Sequence, residues 1–160
     1  MSTVDAALPV APAIAGPPPR VLVVRAPYYR EVVDGLTRGA ERVLEQAGAE
    51  RDTLDVAGAF ELPQAIRLAV RGSVRFDAFV ALGCVVRGET DHYDHICRET
   101  MAGMMAVALQ FGLALGTGLL TVETIDQALA RSGQDGHNKG AEAAVAALMQ
   151  VAAARRLAAI

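Results

Sequence analysis

From residue 20 onward, short apolar runs alternate with stretches in which apolar residues return at helical spacing. Residues 21–24, Val-Leu-Val-Val, form an unbroken apolar run, as expected of a strand covered on both faces. Val32, Val33, Leu36, Ala40, Val43, Leu44 and Ala47 then line one face of a helix that Gly48 ends. A second strand is expected at residues 53–56. Leu62 and Pro63 open the next helix, with Ile66, Ala69 and Val70 on its inner face. Residues 76–82 read as a third strand and residues 92–110 as a helix. Residues 113–121 follow as a fourth strand and residues 123–131 as a short helix, and Asn138 caps a long Ala-rich helix at the end.

This β-α-β-α-β-α-β-α-α order requires crossover connections, and therefore a parallel sheet between two layers of helices. The expected fold class is α/β, a three-layer α/β/α sandwich with a four-stranded parallel sheet of flavodoxin-like type, occupying residues 20–160. Residues 1–19, which end in Pro17, Pro18 and Pro19, are expected to be a stiff, weakly structured lead-in outside the core. In such sheets ligands bind beyond the carboxyl ends of the strands, so the loops after Val24, Val56, Leu82 and Thr121 are where chemistry is to be sought.

Composition narrows the classes of function. At 160 residues with 52% hydrophobic content, the chain has the length and apolar share for one well-buried domain. A net charge of -3 argues against a nucleic-acid partner. Cys84 and Cys97 are too few for a disulfide framework, and residues 1–19 contain no Lys or Arg to start a secretory signal, so the expected location is the cytoplasm. Residues 101–122 carry no charge over a length able to cross a bilayer, but Gly112, Gly116 and Gly118 break them. A buried helix followed by a buried strand is the expectation there.

The loops offer several candidate groups. After the first strand, Tyr28 and Tyr29 either form a shelf for a flat heterocycle or staple the entry to the helix. After the second, Ala59, Phe60 and Glu61 follow Gly58, which permits close approach of a ligand; Glu61 alternatively compensates a helix N-terminus. The third loop runs from Gly83 through Cys84, Val85, Val86, Arg87, Gly88, Glu89 and Thr90 to Asp91 and His92. It leads into a helix N-terminus, where free N–H groups and Thr90 suit an anion. His92 in that first turn is placed either for proton transfer or as an exposed cap. Arg131 and Lys139, at two helix ends, supply cations for a phosphate or serve only as helix-end charges.

Two other chemistries fit the pattern less well. His92, His95, Asp91, Asp94 and Cys97 lie within a few residues, but no second His or Cys pair completes a closed metal site, so no metal is expected. A Cys84–His92–Glu61 hydrolase lacks a glycine-flanked nucleophile turn.

Four separated motifs resemble the lumazine synthase family. They are residues 58–63 (Gly-Ala-Phe-Glu-Leu-Pro), residues 81–94 through Gly83, Cys84, Arg87, Gly88, Glu89, Thr90 and His92, residues 120–131 with Glu123, Gln127 and Arg131, and residues 138–144 from Asn138-Lys139-Gly140. The resemblance covers about residues 20–157. It implies condensation of 5-amino-6-(D-ribitylamino)uracil with 3,4-dihydroxy-2-butanone 4-phosphate, releasing 6,7-dimethyl-8-ribityllumazine, phosphate and water, with no cofactor or metal. It implies that Tyr28, Ala59, Phe60, Glu61, Cys84, Val85, Val86 and Thr117 receive the ribitylaminouracil, and that Glu89, Thr90 and Arg131 hold the butanone phosphate. His92 would transfer protons and Lys139 would add positive charge. It further implies a homopentamer with sites between subunits, Thr117, Arg131 and Lys139 completing a neighbour's site; some members close pentamers into an icosahedral shell. The face Ala141, Ala144, Val145, Leu148 and Val151 would suit packing around a fivefold axis or on its own sheet. Pro27, Ala57, Cys84 and Thr117 stand where the family often has Arg, Pro, Thr and Phe. These departures motivate an alternative, a weakly active paralogue that binds flavin-like rings or serves as a scaffold.

Overall fold

The computed structural model describes residues 9–134 and 137–158; the start of the lead-in, two residues of the loop before the last helix and the final two residues lie outside the described part. The strands are β1 (Arg20–Ala26), β2 (Glu50–Asp55), β3 (Ala78–Val86) and β4 (Ala114–Val122). The helices are α1 (Arg30–Gln46), α2 (Leu62–Arg71), α3 (His92–Phe111), α4 (Ile125–Ser132) and α5 (Lys139–Ala158). The four strands form one parallel sheet in the order β2-β1-β3-β4. Alternate residues of the apolar strands serve opposite faces. Val21, Val23, Val80 and Leu82 pack with α1 and α5, while Leu22, Val24, Phe79 and Ala81 pack with α2 and α3.

Two strand boundaries depart from expectation by three residues or more, each for a physical reason. β2 starts at Glu50 rather than residue 53 and is largely exposed. As an edge strand with little to bury, its first half carries no apolar pattern. The β1 ladder and two arginine forks hold it instead: Arg20 Nη2 donates to Asp52 Oδ2 at 2.7 Å and Arg25 Nε to Asp55 Oδ1 at 2.7 Å. β3 runs on to Val86, past the expected end, because Gly83–Val86 pairs in register with Leu119–Val122 of β4.

The last helix lies unusually close to the sheet. A Cβ at Gly116 would run into the Ala143 carbonyl oxygen, and one at Gly140 into the Leu36 carbonyl oxygen. The glycines near β4 thus make room for α5 and are not a nucleotide-binding turn. The face bearing Ala141, Ala144 and Leu148 is fully buried against this chain's own core, which decides between the two packings open to it. Asn138 secures the joint, as expected of a cap. Its Oδ1 accepts from the backbone N–H of Gly140 at 2.8 Å and Ala141 at 3.1 Å, while Nδ2 donates to the carbonyls of Gly35 and Ser132 at 2.9 and 3.0 Å.

α3 departs from the expectation of burial. Met104 and Val107 face the sheet, whereas Met101, Met105 and Leu109 recur at helical spacing on an outward face. The lead-in, where described, is irregular as its prolines imply, yet Ala11 and Ile14 lean on the core, and Arg155 Nη1 donates to the carbonyls of Ala15 and Pro17. At the far edge, Gln150 engages the β4 backbone twice. Its Nε2 donates to the Leu115 carbonyl at 2.9 Å, and its Oε1 accepts the Leu115 N–H at 3.4 Å.

Candidate active site

In a doubly wound sheet the crevice opens where successive crossovers leave to opposite faces, here between β1 and β3. A cleft of about 550 Å³ lies at that point, a size suited to a small ligand. The loops after β1 and β2 build it, as expected, together with the end of β3 and the first turns of α3; residues 87–91 and the loop after β4 contribute no lining residue.

Each wall follows from its local structure. Tyr28 and Tyr29 sit in the turn from β1 into α1, edge to face at 5.2 Å between ring centroids and 67° between planes. The two rings therefore make a corner rather than one flat shelf. Tyr28 is 77% exposed, leaving its ring free for a planar partner, and Tyr29 is half-buried. Extended Gly58 leads into a single 3-10 turn, Ala59–Glu61, which brings Phe60 and Glu61 to the rim before α2 starts at Leu62, with Pro63 in its first turn. Cys84 lies at the buried end, its thiol pushed up to about 11 by burial, and Val85 and Val86 continue the wall. The first turn of α3 supplies exposed His92, with Ile96 one turn further along the same face.

Behind His92 lies a second cluster. Arg87 forks onto Asp94 at 3.0 and 3.2 Å, reaches Glu123 at 2.9 Å, and stacks 4.1 Å from the Tyr93 ring centroid. Its hydrogen bonds hold the Asp94 carboxyl below its usual range. At the helix start, Asp91 makes no side-chain capping bond, so the first N–H groups of α3 have no partner from it.

The family model for 6,7-dimethyl-8-ribityllumazine synthase matches residues 18–155. The chain belongs to that family. Proteins named 6,7-dimethyl-8-ribityllumazine synthase from Bartonella tribocorum and Sphingopyxis alaskensis are 43% identical over 138 residues and 48% identical over 132. These alignments cover 86% and 82% of this chain and 91% and 92% of the relatives. The Rhizobium meliloti protein named 6,7-dimethyl-8-ribityllumazine synthase 1 is 42% identical over 144 residues, covering 88% of this chain and 94% of its own.

The residues singled out by the lumazine synthase resemblance divide into two sets. Tyr28, Ala59, Phe60, Glu61, Cys84, Val85, Val86 and His92 all line the cleft. Glu89, Thr90, Thr117, Arg131 and Lys139 do not. Glu89 and Thr90 are exposed in the loop leading to His92. Thr117 is exposed on edge strand β4, where its hydroxyl accepts from the Leu119 N–H. Arg131 donates to the Gln127 carbonyl at 2.8 Å, and Lys139 pairs with Glu142 at 2.7 Å. Tyr29 and Gly58, offered by the loop pattern though not by the family resemblance, also line the cleft, as do Ala57 and Ile96, which neither singled out. Ile96 carried a usable signal, since it lies one helical turn beyond His92. Among the described residues no group of His, Cys, Asp and Glu is gathered to hold a metal, and no helix is long and apolar enough to cross a membrane.

Proposed function

We propose that this chain forms 6,7-dimethyl-8-ribityllumazine for riboflavin biosynthesis in the switch-point cleft, as a homopentamer whose neighbouring subunits complete each site. The observation carrying this reading is the gathering of an aromatic corner, a carboxylate and a histidine in one cleft, within a family match that spans nearly the whole chain.

In this reading the pyrimidine lies against Tyr28, with its ring and ribityl chain along Ala59–Glu61 and Cys84–Val86. The butanone phosphate docks at the uncapped start of α3 beside Glu89 and Thr90, where free N–H groups favour an anion. The substrate's 5-amino group attacks the ketone carbon, and loss of water gives an imine. A proton then leaves carbon as the phosphate departs, and ring closure with loss of a further water completes the product. His92 stands at the boundary between the two substrate positions, where these protons move. Arg131 and Lys139 of an adjacent subunit supply the positive charge the cleft of one chain lacks, and Thr117 closes its outer side. The open apolar stripe of Met101, Met105 and Leu109 supports association of chains. Cytoplasmic residence accords with this biosynthetic role.

The test is a steady-state assay with both substrates, following absorption of the lumazine product. Wild-type protein is expected to turn over and His92→Ala to lose about 10²-fold in kcat, the usual effect of removing a general acid or base. Folded protein that binds the pyrimidine without forming product would refute the reading.

A further inference from the structure

The loop that leads from β3 into α3 is held only at its ends. Among the described residues, no hydrogen bond fixes Gly88, Glu89 or Thr90, and a Cβ on Gly88 would meet open space. At one end the Arg87 backbone N–H donates to the Val122 carbonyl at 2.9 Å, extending the β3–β4 ladder by one residue. At the other end stand Tyr93 and Asp94, the two residues that follow His92 in the first turn of α3. A single guanidinium joins these ends. It forks onto Asp94 at 3.0 and 3.2 Å, reaches Glu123 beyond β4 at 2.9 Å, and covers the Tyr93 ring at 4.1 Å. The helix turns His92 and Ile96 toward the cleft while Arg87 grips residues on the opposite face.

We infer that Arg87 is a positioning residue for the reaction: it staples the ends of the 88–91 loop and so fixes how Glu89 and Thr90, beside the anion-holding start of α3, stand relative to His92. The inference rests on the reading that places His92 and the butanone phosphate there. The groups involved are all partly open to solvent, with side-chain exposures of 38% for Arg87, 49% for Asp94 and 59% for Glu123. Ion pairs so exposed add little to stability, so the effect of the cluster is on geometry. A planar fork can hold two carboxylates and a ring together, and a lysine ammonium cannot. With both carboxylates engaged, the guanidinium is also occupied and is not the ligand of the phosphate.

The experiment measures kcat and both KM values for full-length wild type, Arg87→Gln, Arg87→Lys, Asp94→Asn, the Arg87→Gln/Asp94→Asn double variant and His92→Ala, with thermal melting alongside. Arg87→Gln should raise KM for the butanone phosphate and lower kcat, each by roughly ten-fold, because small misplacements of reacting groups are costly. KM for the pyrimidine should stay within about two-fold, since its walls are the loops after β1 and β2 and strand β3, not residues 88–91. Asp94→Asn should act in the same direction, the double variant should be no worse than the poorer single, and Arg87→Lys should fall between. Tighter butanone phosphate binding in Asp94→Asn would make Arg87 a direct phosphate ligand and overturn the proposal. A fall in kcat alone that tracks lost folded protein would do the same. Unchanged constants in Arg87→Gln beside an impaired His92→Ala would sink the positioning role only, whereas a fully active His92→Ala would sink the reading beneath it.

Discussion

A thiol at the floor of a cleft beside a histidine has the makings of a nucleophile, and the environment of Cys84 removes that role. Burial raises its pKa from an ordinary value near 9 to about 11, so at neutral pH it is the unreactive thiol. Cys84→Ala is therefore expected to keep most of its activity in the product assay, and a loss comparable to that of His92→Ala would contradict it. The same shift has a consequence for stability. The folded chain holds this proton more tightly than the unfolded chain, so the contribution of Cys84 is complete below pH 9 and is lost as pH rises toward 11. Denaturant midpoints taken across that interval should fall less steeply for Cys84→Ala than for wild type. At this scale the sequence was legible wherever a residue's neighbours in the chain are also its neighbours in the cleft, as with Ala59, Phe60 and Glu61. Tyr29 was harder to place because two adjacent tyrosines do not reveal the angle between their rings, and 67° turns an expected shelf into a corner.

Among the elements, α5 and β4 carry the tightest fit. Gly116 has no room for a methyl group, because the Ala143 carbonyl stands in the way and backbone cannot yield as a flexible side chain can. Gly116→Ala should cost about 1–3 kcal/mol in urea unfolding, the usual range for forced overpacking, while Gly88→Ala, facing open space, should stay within about 0.5 kcal/mol. Equal effects at the two positions would mean that the α5–β4 contact does not limit stability. Periodicity found the five α-helices among the described residues and the buried strands, because one face of a helix, or both faces of a central strand, must be apolar; the short 3-10 turn at Ala59–Glu61 has no such repeat to show. It shifted the start of β2 because an exposed edge strand has no such need: Glu50, Arg51 and Asp52 pair by backbone and charge. The apolar pattern of α3 was visible, but pattern alone does not distinguish a helix buried in its own chain from one with Met101, Met105 and Leu109 left outward.

For the whole molecule, the division of the site residues is the main consequence. His92 lies in the cleft of one chain, whereas Arg131 and Lys139 lie outside it, paired with Gln127 and Glu142. If neighbours share sites, an inactive His92→Ala chain and an inactive Arg131→Ala chain should complement each other when unfolded together and reassembled. Mixed assemblies would then contain some sites with both residues intact, and activity should return to a sizeable fraction of wild type. Mixtures as inactive as their components would place each site within one chain. The expectation that neighbours share sites comes only from the family resemblance, because single-chain patterning says which faces are apolar and not which chain covers them.

The β4 edge bears on a different question, what keeps a parallel sheet from growing. An open edge is a template on which any extended peptide can build, the first step toward cross-β aggregation. By offering one donor and one acceptor to Leu115, the Gln150 amide imitates the backbone of a fifth strand without being one. An intruding strand entering at the start of β4 must first displace it, so α5 both covers the sheet and acts as a stop on its extension.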